Sequence, residues 1–418
     1  INLKKKKIIL ISDHIMMNSG VAVQGRHLVN GLLETGKYKF IQIGAAMSHE
    51  DYRPVKVNED LIIIPTKGFG NKDIIRSLLV TEKPDAIILF NDPRFFDYIF
   101  EMEDEIHQIC PILYWHVWDN RPYPDFNEHA YMSTDTINCI SHLTYNLISE
   151  KHSNKTNYIP HSLPDDLFYK LKEEDIISYK EKILGKEKID HFTGLWINRN
   201  TRRKRPADVL KSWQMFLFDL EEKFGHKNAT LIMHTDPEDS VGVNLFEVAK
   251  NLKIKDNVCF STEAIDFDEV NILHNISDFY INISFAEGFG LGTLEAMKVG
   301  NPIIAVKTGG QTRQVINHFD NTVNGFALEP DVTTISGSQS IHYINEDYVR
   351  TEKVSKAIFS MYCMDKDRRE EIGDKAIEYV NKEFNYNNMI KKWDLSLEDT
   401  IMNWKSKYTR VEIYKLGD

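Results

Sequence analysis

The sequence is short of cysteine. Among its 418 residues only Cys110, Cys139, Cys259 and Cys363 occur. They are widely scattered, with no C-x-x-C and no regular spacing, so neither a disulfide framework nor a cysteine metal site is supported, and free thiols in a reducing cytoplasm are expected. No apolar run approaches the roughly 18 residues of a membrane span. The apolar part of INLKKKKIILIS is too short for a signal peptide, and no small-residue cleavage site follows it. Positive charge is outnumbered: 51 Lys and Arg stand against 62 Asp and Glu, for a net charge of −11. That argues against general affinity for nucleic acid or anionic membrane, though not against a local basic patch. Internal repeats and low-complexity tracts are absent as well. What remains is an ordinary globular composition, 42 % hydrophobic and 27 % charged, long enough for two or three domains.

Short runs of Ile, Val and Phe alternate with longer helical patterns in two series. The first comprises IILIS (8–12), FIQIG (40–44), LIIIP (61–65), AIILF (86–90), ILYWHV (112–117), INCIS (137–141) and NYIP (157–160). The second comprises FTGLWI (192–197), ATLIMH (229–234), NVCF (257–260), FYINIS (279–284), PIIAV (302–306) and GFALEP (325–330). Apolar strands separated by helices imply parallel sheets covered on both faces, and repeated β-α units give doubly wound, Rossmann-like α/β domains. The polar stretch 163–190 reads as a linker plus a helix. The expected division is therefore 1–170, 171–385 and a helical C-terminal segment 386–418, in which Trp393 and Trp404 are expected anchors. Ligands of such sheets bind outside the carboxyl ends of the strands, here in the cleft between two domains.

One strand end stands out. FYINIS is followed by FAEGFGLGTLEAM (285–297), in which Glu287 and Glu295 flank Gly288, Gly290 and Gly292. A glycine loop opening a helix offers bare N–H groups and the positive end of a dipole, a seat for phosphate. Glu295, early in the helix, leans back over the loop and suits neutral hydroxyls such as a ribose diol. The plainer reading is a glycine turn with Glu295 as a favourable helix charge.

The combination of E-x7-E around GFGL with G-x-P-I-I-x-x-x-x-G-G downstream (Gly300, Pro302, Ile303, Ile304, Gly309, Gly310) resembles retaining glycosyltransferases of the GT-B fold, with glycosyltransferase family 4 the nearest likeness. The resemblance covers most of 190–330 and the first half weakly. It implies a GT-B architecture, two Rossmann-like domains facing a cleft, with a C-terminal helix returning to the first. It also implies a nucleotide-diphosphate sugar, UDP- or GDP-linked, as donor. By motif position Glu295 would bind the donor ribose, Glu287 would lie by the transferred sugar, and Gly288, Phe289, Gly290 and Leu291 would contact the donor. In NRNTRRKRP (198–206), Arg199 and Lys204 match the family's arginine and lysine that neutralise the leaving diphosphate. The family's glycine after that lysine is Arg205 here. Arg202, Arg203 and Arg205 read more plainly as a solvated basic turn. Gly20, after the first strand, is the one remaining glycine of a loop that approaches the donor phosphate. His116 and Asp119, in YWHVWDNRPYP (114–124), are candidates to contact the transferred sugar or the acceptor; the alternative is a histidine packed under a proline loop. His161 stands where the family has asparagine and is given no role, and Arg313 stands where the family has glutamate.

No metal site is expected. Asp266-Phe267-Asp268 and Asp365-Lys366-Asp367 precede helical patterns, so capping explains them. No cofactor beyond the donor is required. The acceptor is expected to be a glycan. NRNTRRKRP and YWHVWDNRPYP are similar to stretches of phage and marine-virus glycosyltransferases, which keeps modified DNA as a second acceptor class. An epimerase or a non-catalytic nucleotide-sugar binder could share the architecture. The stretch 331–348 extends a connection that is normally short, and long loops beside a cleft are often functional.

Overall fold

A computed structural model describes residues 4–45 and 51–407. The first three residues, and the part of the expected C-terminal helical segment beyond 407, lie outside the described residues. Two sheets organise the chain. The first has eight strands: β1 (Lys6–Asp13), β2 (Tyr38–Ala45), β3 (Val55–Asn58), β4 (Leu61–Pro65), β5 (Ala86–Asn91), β6 (Ile112–His116), β7 (Thr136–Cys139) and β8 (Thr156–Tyr158). Their order is β3-β4-β2-β1-β5-β6-β7-β8, and every pairing is parallel except that of β3 with β4. The second has six parallel strands: β9 (Phe192–Ile197), β10 (Ala229–His234), β11 (Val258–Ser261), β12 (Phe279–Asn282), β13 (Ile303–Val306) and β14 (Gly325–Leu328). These run in the order β11-β10-β9-β12-β13-β14.

The apolar runs become the central strands because helices cover both faces. Ile8, Ile9, Leu10 and Ile11 are all fully buried, as are Ile87, Ile88 and Leu89. Three strands have no counterpart in the expected pattern. β3 is a short edge strand, VKVN, with all four residues exposed. β15 (Val332–Ser336) and β16 (Ile344–Tyr348) form a separate antiparallel hairpin within the extended connection. None of the three buries an apolar face of the kind that marks a core strand.

The last helix, Tyr386–Lys407, returns to the first domain. Its Trp393 is fully buried and meets the Trp115 ring edge-on at 5.3 Å. Asn138 Nδ2 donates to Ser396 Oγ (3.0 Å), and the Thr136 and Thr400 hydroxyls are 2.6 Å apart. Gly31, in the helix Gly20–Glu34, lets Ile390 close in; an added Cβ would come within 2.3 Å of that side chain. Trp404 is only half-buried. Among the described residues no helix is long and apolar enough to cross a membrane.

Trp393→Ala should therefore cost about 3–5 kcal/mol, the range for emptying a large buried aromatic site. Denaturant unfolding of the two proteins measures it; a loss below about 1 kcal/mol would mean the helix is not anchored there.

Candidate active site

Asn282 ends β12 and organises the loop after it. Its Oδ1 accepts from the Ser284 N–H (3.0 Å) and the Ser284 hydroxyl (2.6 Å). The chain then runs through Glu287 to Gly290, which enters the helix Leu291–Lys298 at φ +91°, a left-handed conformation that favours glycine. Gly309 and Gly310, after β13, press against the back of this loop. An added Cβ on Gly309 would lie 2.0 Å from the Glu287 carbonyl oxygen and 2.4 Å from that of Asp119; one on Gly310 would lie 2.2 Å from the Gly288 oxygen. The obstructing atoms are main chain and cannot swing aside. The two glycines thus let strand-end segments of both domains meet, and the Gly310 N–H donates to the Glu287 carbonyl at 2.8 Å.

The Glu287 carboxylate is buried in a cluster of charges. Lys204 Nζ is hydrogen-bonded to Oε2, Arg203 lies 3.3 Å from Oε1, and Asn282 Nδ2 is 3.4 Å from Oε2. Arg203 also donates to the Ala286 carbonyl (2.7 Å), and its Nε faces the Asp119 carboxylate across the cleft at 3.7 Å. Burial alone would raise the Glu287 carboxyl; Lys204 and Arg203 overcome this and hold it down at about 2. Burial pushes the Lys204 ammonium down despite Glu287, with Arg203 adding to the effect.

The other predicted residues fall into three groups. Gly288 and Asp119 face each other, the carboxylate 2.9 Å from where a Gly288 Cβ would sit, and Gly20 faces Leu291 Cδ1 at 3.2 Å in the same sense. These contacts bring the strand ends of the two domains to one cleft. Glu295 lies one helical turn into Leu291–Lys298, its Oε2 3.2 Å from Nε2 of the fully buried His274. Arg199 stands apart. Its side chain is 66 % exposed and pairs with Asp239 at 2.8 Å, so Arg203 takes the place beside Glu287.

Several expectations need correction. His116 does not face the cleft: it is fully buried, bonded to the Tyr131 hydroxyl (2.7 Å) and stacked on Tyr114. Burial lowers its pKa to about 3, so the ring is neutral packing under the proline loop. Phe289 packs between the domains, edge-on to both His161 and Phe384, and is a wedge rather than a wall of an open site. The basic turn is only partly solvated: the Arg202 side chain is exposed, Arg203 is half-buried and Arg205 is buried. Arg202 pairs with Glu346 (2.6 Å), Arg203 with Glu287, and Arg205 with Asp208 (2.8 Å) and the Val349 carbonyl (2.9 Å). Arg313 points away from the cleft to Glu383 (2.8 Å), which also accepts from the Tyr158 hydroxyl (2.9 Å). Asp266 and Asp365 do cap helices, the former in a reciprocal capping box with Glu269.

On the first-domain side, Asp13 at the end of β1 accepts from Ser19 Oγ (2.5 Å) and Asn91 Nδ2 (2.8 Å), while Asp92 follows β5. Burial raises both carboxyls, and for Asp92 the nearby Asp119 contributes to the rise. Neither residue carries a motif, and nor does His274; nothing in the sequence marks them.

The architecture is the GT-B fold, two Rossmann-like domains across a cleft. It is shared with a sucrose-phosphate synthase from Thermosynechococcus elongatus (TM-score 0.74, 15 % identity, 96 % of this chain and 100 % of that one). Anabaena HepE, solved in complex with UDP and glucose, is similarly close (TM-score 0.69, 15 % identity, 95 % and 100 %). Residues 186–358, which include the second sheet and the hairpin, match the family Glycosyl transferases group 1. N-acetyl-alpha-D-glucosaminyl L-malate synthase from Bacillus anthracis is 28 % identical over 239 residues, 55 % of this chain and 55 % of that protein. A mouse GDP-Man:Man(3)GlcNAc(2)-PP-Dol alpha-1,2-mannosyltransferase is 25 % identical over 131 residues, 31 % and 26 % of the two chains. The matched stretches thus span about half or less of these curated relatives.

The charge cluster predicts an acid dependence. The folded Glu287 carboxyl titrates below its usual 4.5, so its contribution is fully present above that pH and is lost as pH falls toward 2. A shift of that size corresponds to something on the order of 3 kcal/mol. The stability gap between wild type and Glu287→Gln, from urea unfolding, should be widest near neutrality and narrow as pH falls through this window. A gap unchanged by pH would show that Glu287 is not held ionised.

Proposed function

We propose that the protein is a retaining glycosyltransferase that moves a sugar from a nucleotide-diphosphate sugar to an acceptor hydroxyl without a metal ion. The observation that carries this is the buried Lys204–Glu287–Arg203 cluster beside the glycine loop that opens Leu291–Lys298. Cations and helix N–H groups converge there on a place suited to phosphate. Lys204, buried beside the loop, receives charge developing on the leaving diphosphate. Arg199 can join it, because its largely exposed side chain is held only by a surface pair with Asp239, the kind readily given up. Glu287, kept ionised, sits by the transferred sugar, and Gly288, Gly290 and Leu291 with Gly20 flank the donor. Glu295 holds the ribose diol, with His274 fixing its carboxylate.

Retention follows from the groups the site supplies. An inverting transferase needs a base opposite the leaving group. Here Glu287 is committed to two cations and Asp119 faces Arg203, whereas leaving-group stabilisation is well provided. The leaving diphosphate oxygen can itself take the acceptor proton on the face it vacates. A glycan is the favoured acceptor. The engagement of Arg202, Arg203 and Arg205 by acidic groups and main chain speaks against a phosphate-rich strand binding at that turn. An epimerase or a silent binder would leave the cation pair without a leaving group that departs for good.

The test is a screen of UDP-, GDP- and ADP-sugars against glycan and other hydroxyl acceptors, read by mass and by NMR. An α-linked donor should give an α-linked product; a β-product would overturn the retaining mechanism and point to Asp119 as base. Lys204→Ala should lower kcat by about 10²-fold or more, the scale of one lost transition-state charge contact. Glu295→Ala should instead raise the donor KM at nearly unchanged kcat, since ribose contacts are equal in ground and transition states. EDTA should leave the rate unchanged; loss restored by Mg²⁺ or Mn²⁺ would overturn metal independence.

A further inference from the structure

The β15–β16 hairpin is a two-stranded sheet of its own, and it bridges the domains. Its base is fixed to the second domain. The Asp347 N–H donates to the Phe285 carbonyl (2.7 Å), Glu346 pairs with Arg202 (2.6 Å), and the Thr308 hydroxyl donates to Asp347 Oδ2 (2.7 Å). Thr333 donates to the other carboxylate oxygen at 2.7 Å. From this base the hairpin reaches the first domain. The Asn345 N–H donates to the Arg121 carbonyl (2.7 Å), and the Tyr343 ring meets Phe126 edge-on at 5.1 Å. The central contact is Asn120, 3 % exposed and next in sequence to Asp119. Its amide N–H groups face Asp347 Oδ2 (2.7 Å), the Asn345 carbonyl (3.0 Å) and Thr308 Oγ1 (3.2 Å), all from the second domain.

The hairpin adds little to any core. Val332 and Ile335 are 49 % and 78 % exposed, whereas the acid Glu346 is buried. Its contribution is directional hydrogen bonding, which fixes position rather than burying area. We propose that Asp347 is a positioning residue of the transfer site: it clamps Asn120, and so sets Asp119 against Gly288 and Arg203. This rests on the transferase function proposed for the cleft. The wall of the site that belongs to the first domain is thereby registered by an insertion in the second. The clamp's own atoms, the Asp347 carboxylate and the Asn120 amide, bond to each other and to Thr308, whereas Lys204 is held by Glu287, so nucleotide binding should survive loosening of the clamp while transfer should not.

The experiment uses the full chain with Asp347→Ala, Asn120→Ala, their combination, and Asp347→Asn. We expect each alanine variant to lower kcat by about tenfold, the combination to be no worse than either alone, and Asp347→Asn to recover part of the rate through its remaining acceptor oxygen. The Kd for UDP or GDP, by calorimetry, should stay within about twofold of wild type. Additive losses, unchanged kcat, or a fall in nucleotide affinity matching the fall in kcat would overturn the proposal. If Asp347→Ala fails to fold, Asn120→Ala breaks the same contact from the other domain and carries the test. Dyes on cysteines introduced at the exposed positions Val80 and Phe218, with Cys259 and Cys363 replaced, report the clamp without any turnover. A broader inter-dye distance distribution in Asn120→Ala supports it even if no sugar is transferred, in which case only the transferase reading fails. An unchanged distribution overturns it.

Discussion

A carboxylate buried at the mouth of a cleft must have cations, and Glu287 has two. Removing such a charge from water costs several kcal/mol unless it is paired and hydrogen-bonded. That requirement shapes the surrounding chain. Lys204 and Arg203 must converge on Glu287 from the turn after β9, Asn282 must turn inward at the end of β12, and Gly309 and Gly310 must carry no side chains so that the Glu287 main chain can lie against them. Arg203 then has charge to spare for Asp119, and this links the first domain to the second at the same point. Site and domain contact are one construction.

The interface repeats that logic at its other contacts. Phe289 extends from the glycine loop into an aromatic group with His161 and Phe384, and Lys298, at the far end of the following helix, donates to the Pro164 carbonyl (2.9 Å) in the connecting segment. Arg313, Glu383 and Tyr158 form a further polar link. Residues that look like departures from a motif, such as His161 and Arg313, are spent on holding the two domains together. Substitution there answers to packing rather than to ligand chemistry.

Much of this was legible in the sequence, and the reason is local. The thirteen apolar runs became strands, the central ones because they are buried on both faces, a condition that period and composition record directly; the edge strands β8 and β14 are only partly buried. Asp266 and Asp365 could be read as caps because the cap and its N–H partner lie within three residues. Glu287, Lys204 and the glycine loop were legible through the likeness of their motifs to a known family, not through spacing, since Lys204 and Glu287 lie 83 positions apart. The misreadings share the opposite property. Nothing near His116 in sequence announces Tyr131 as its partner, and nothing near Arg203 announces Asp119, 84 positions away. Three arginines in one turn look alike in sequence, yet Arg202 and Arg203 take their acids from distant parts of the fold while Arg205 pairs with Asp208, three residues on.

The hairpin is the extreme case. Its strands VTTIS and INEDY carry too little buried apolar surface to register as strands, and their importance lies in polar atoms with fixed directions. Asp347 meets Asn120 across 227 positions and a domain boundary. Periodicity reports what burial demands of a segment by itself; it is silent about a hydrogen bond whose partner is defined only once the cleft has closed. For this chain one domain's motif named Glu287 and Lys204, whereas their pairing with each other and with Arg203, and the register between the domains, required the assembled fold.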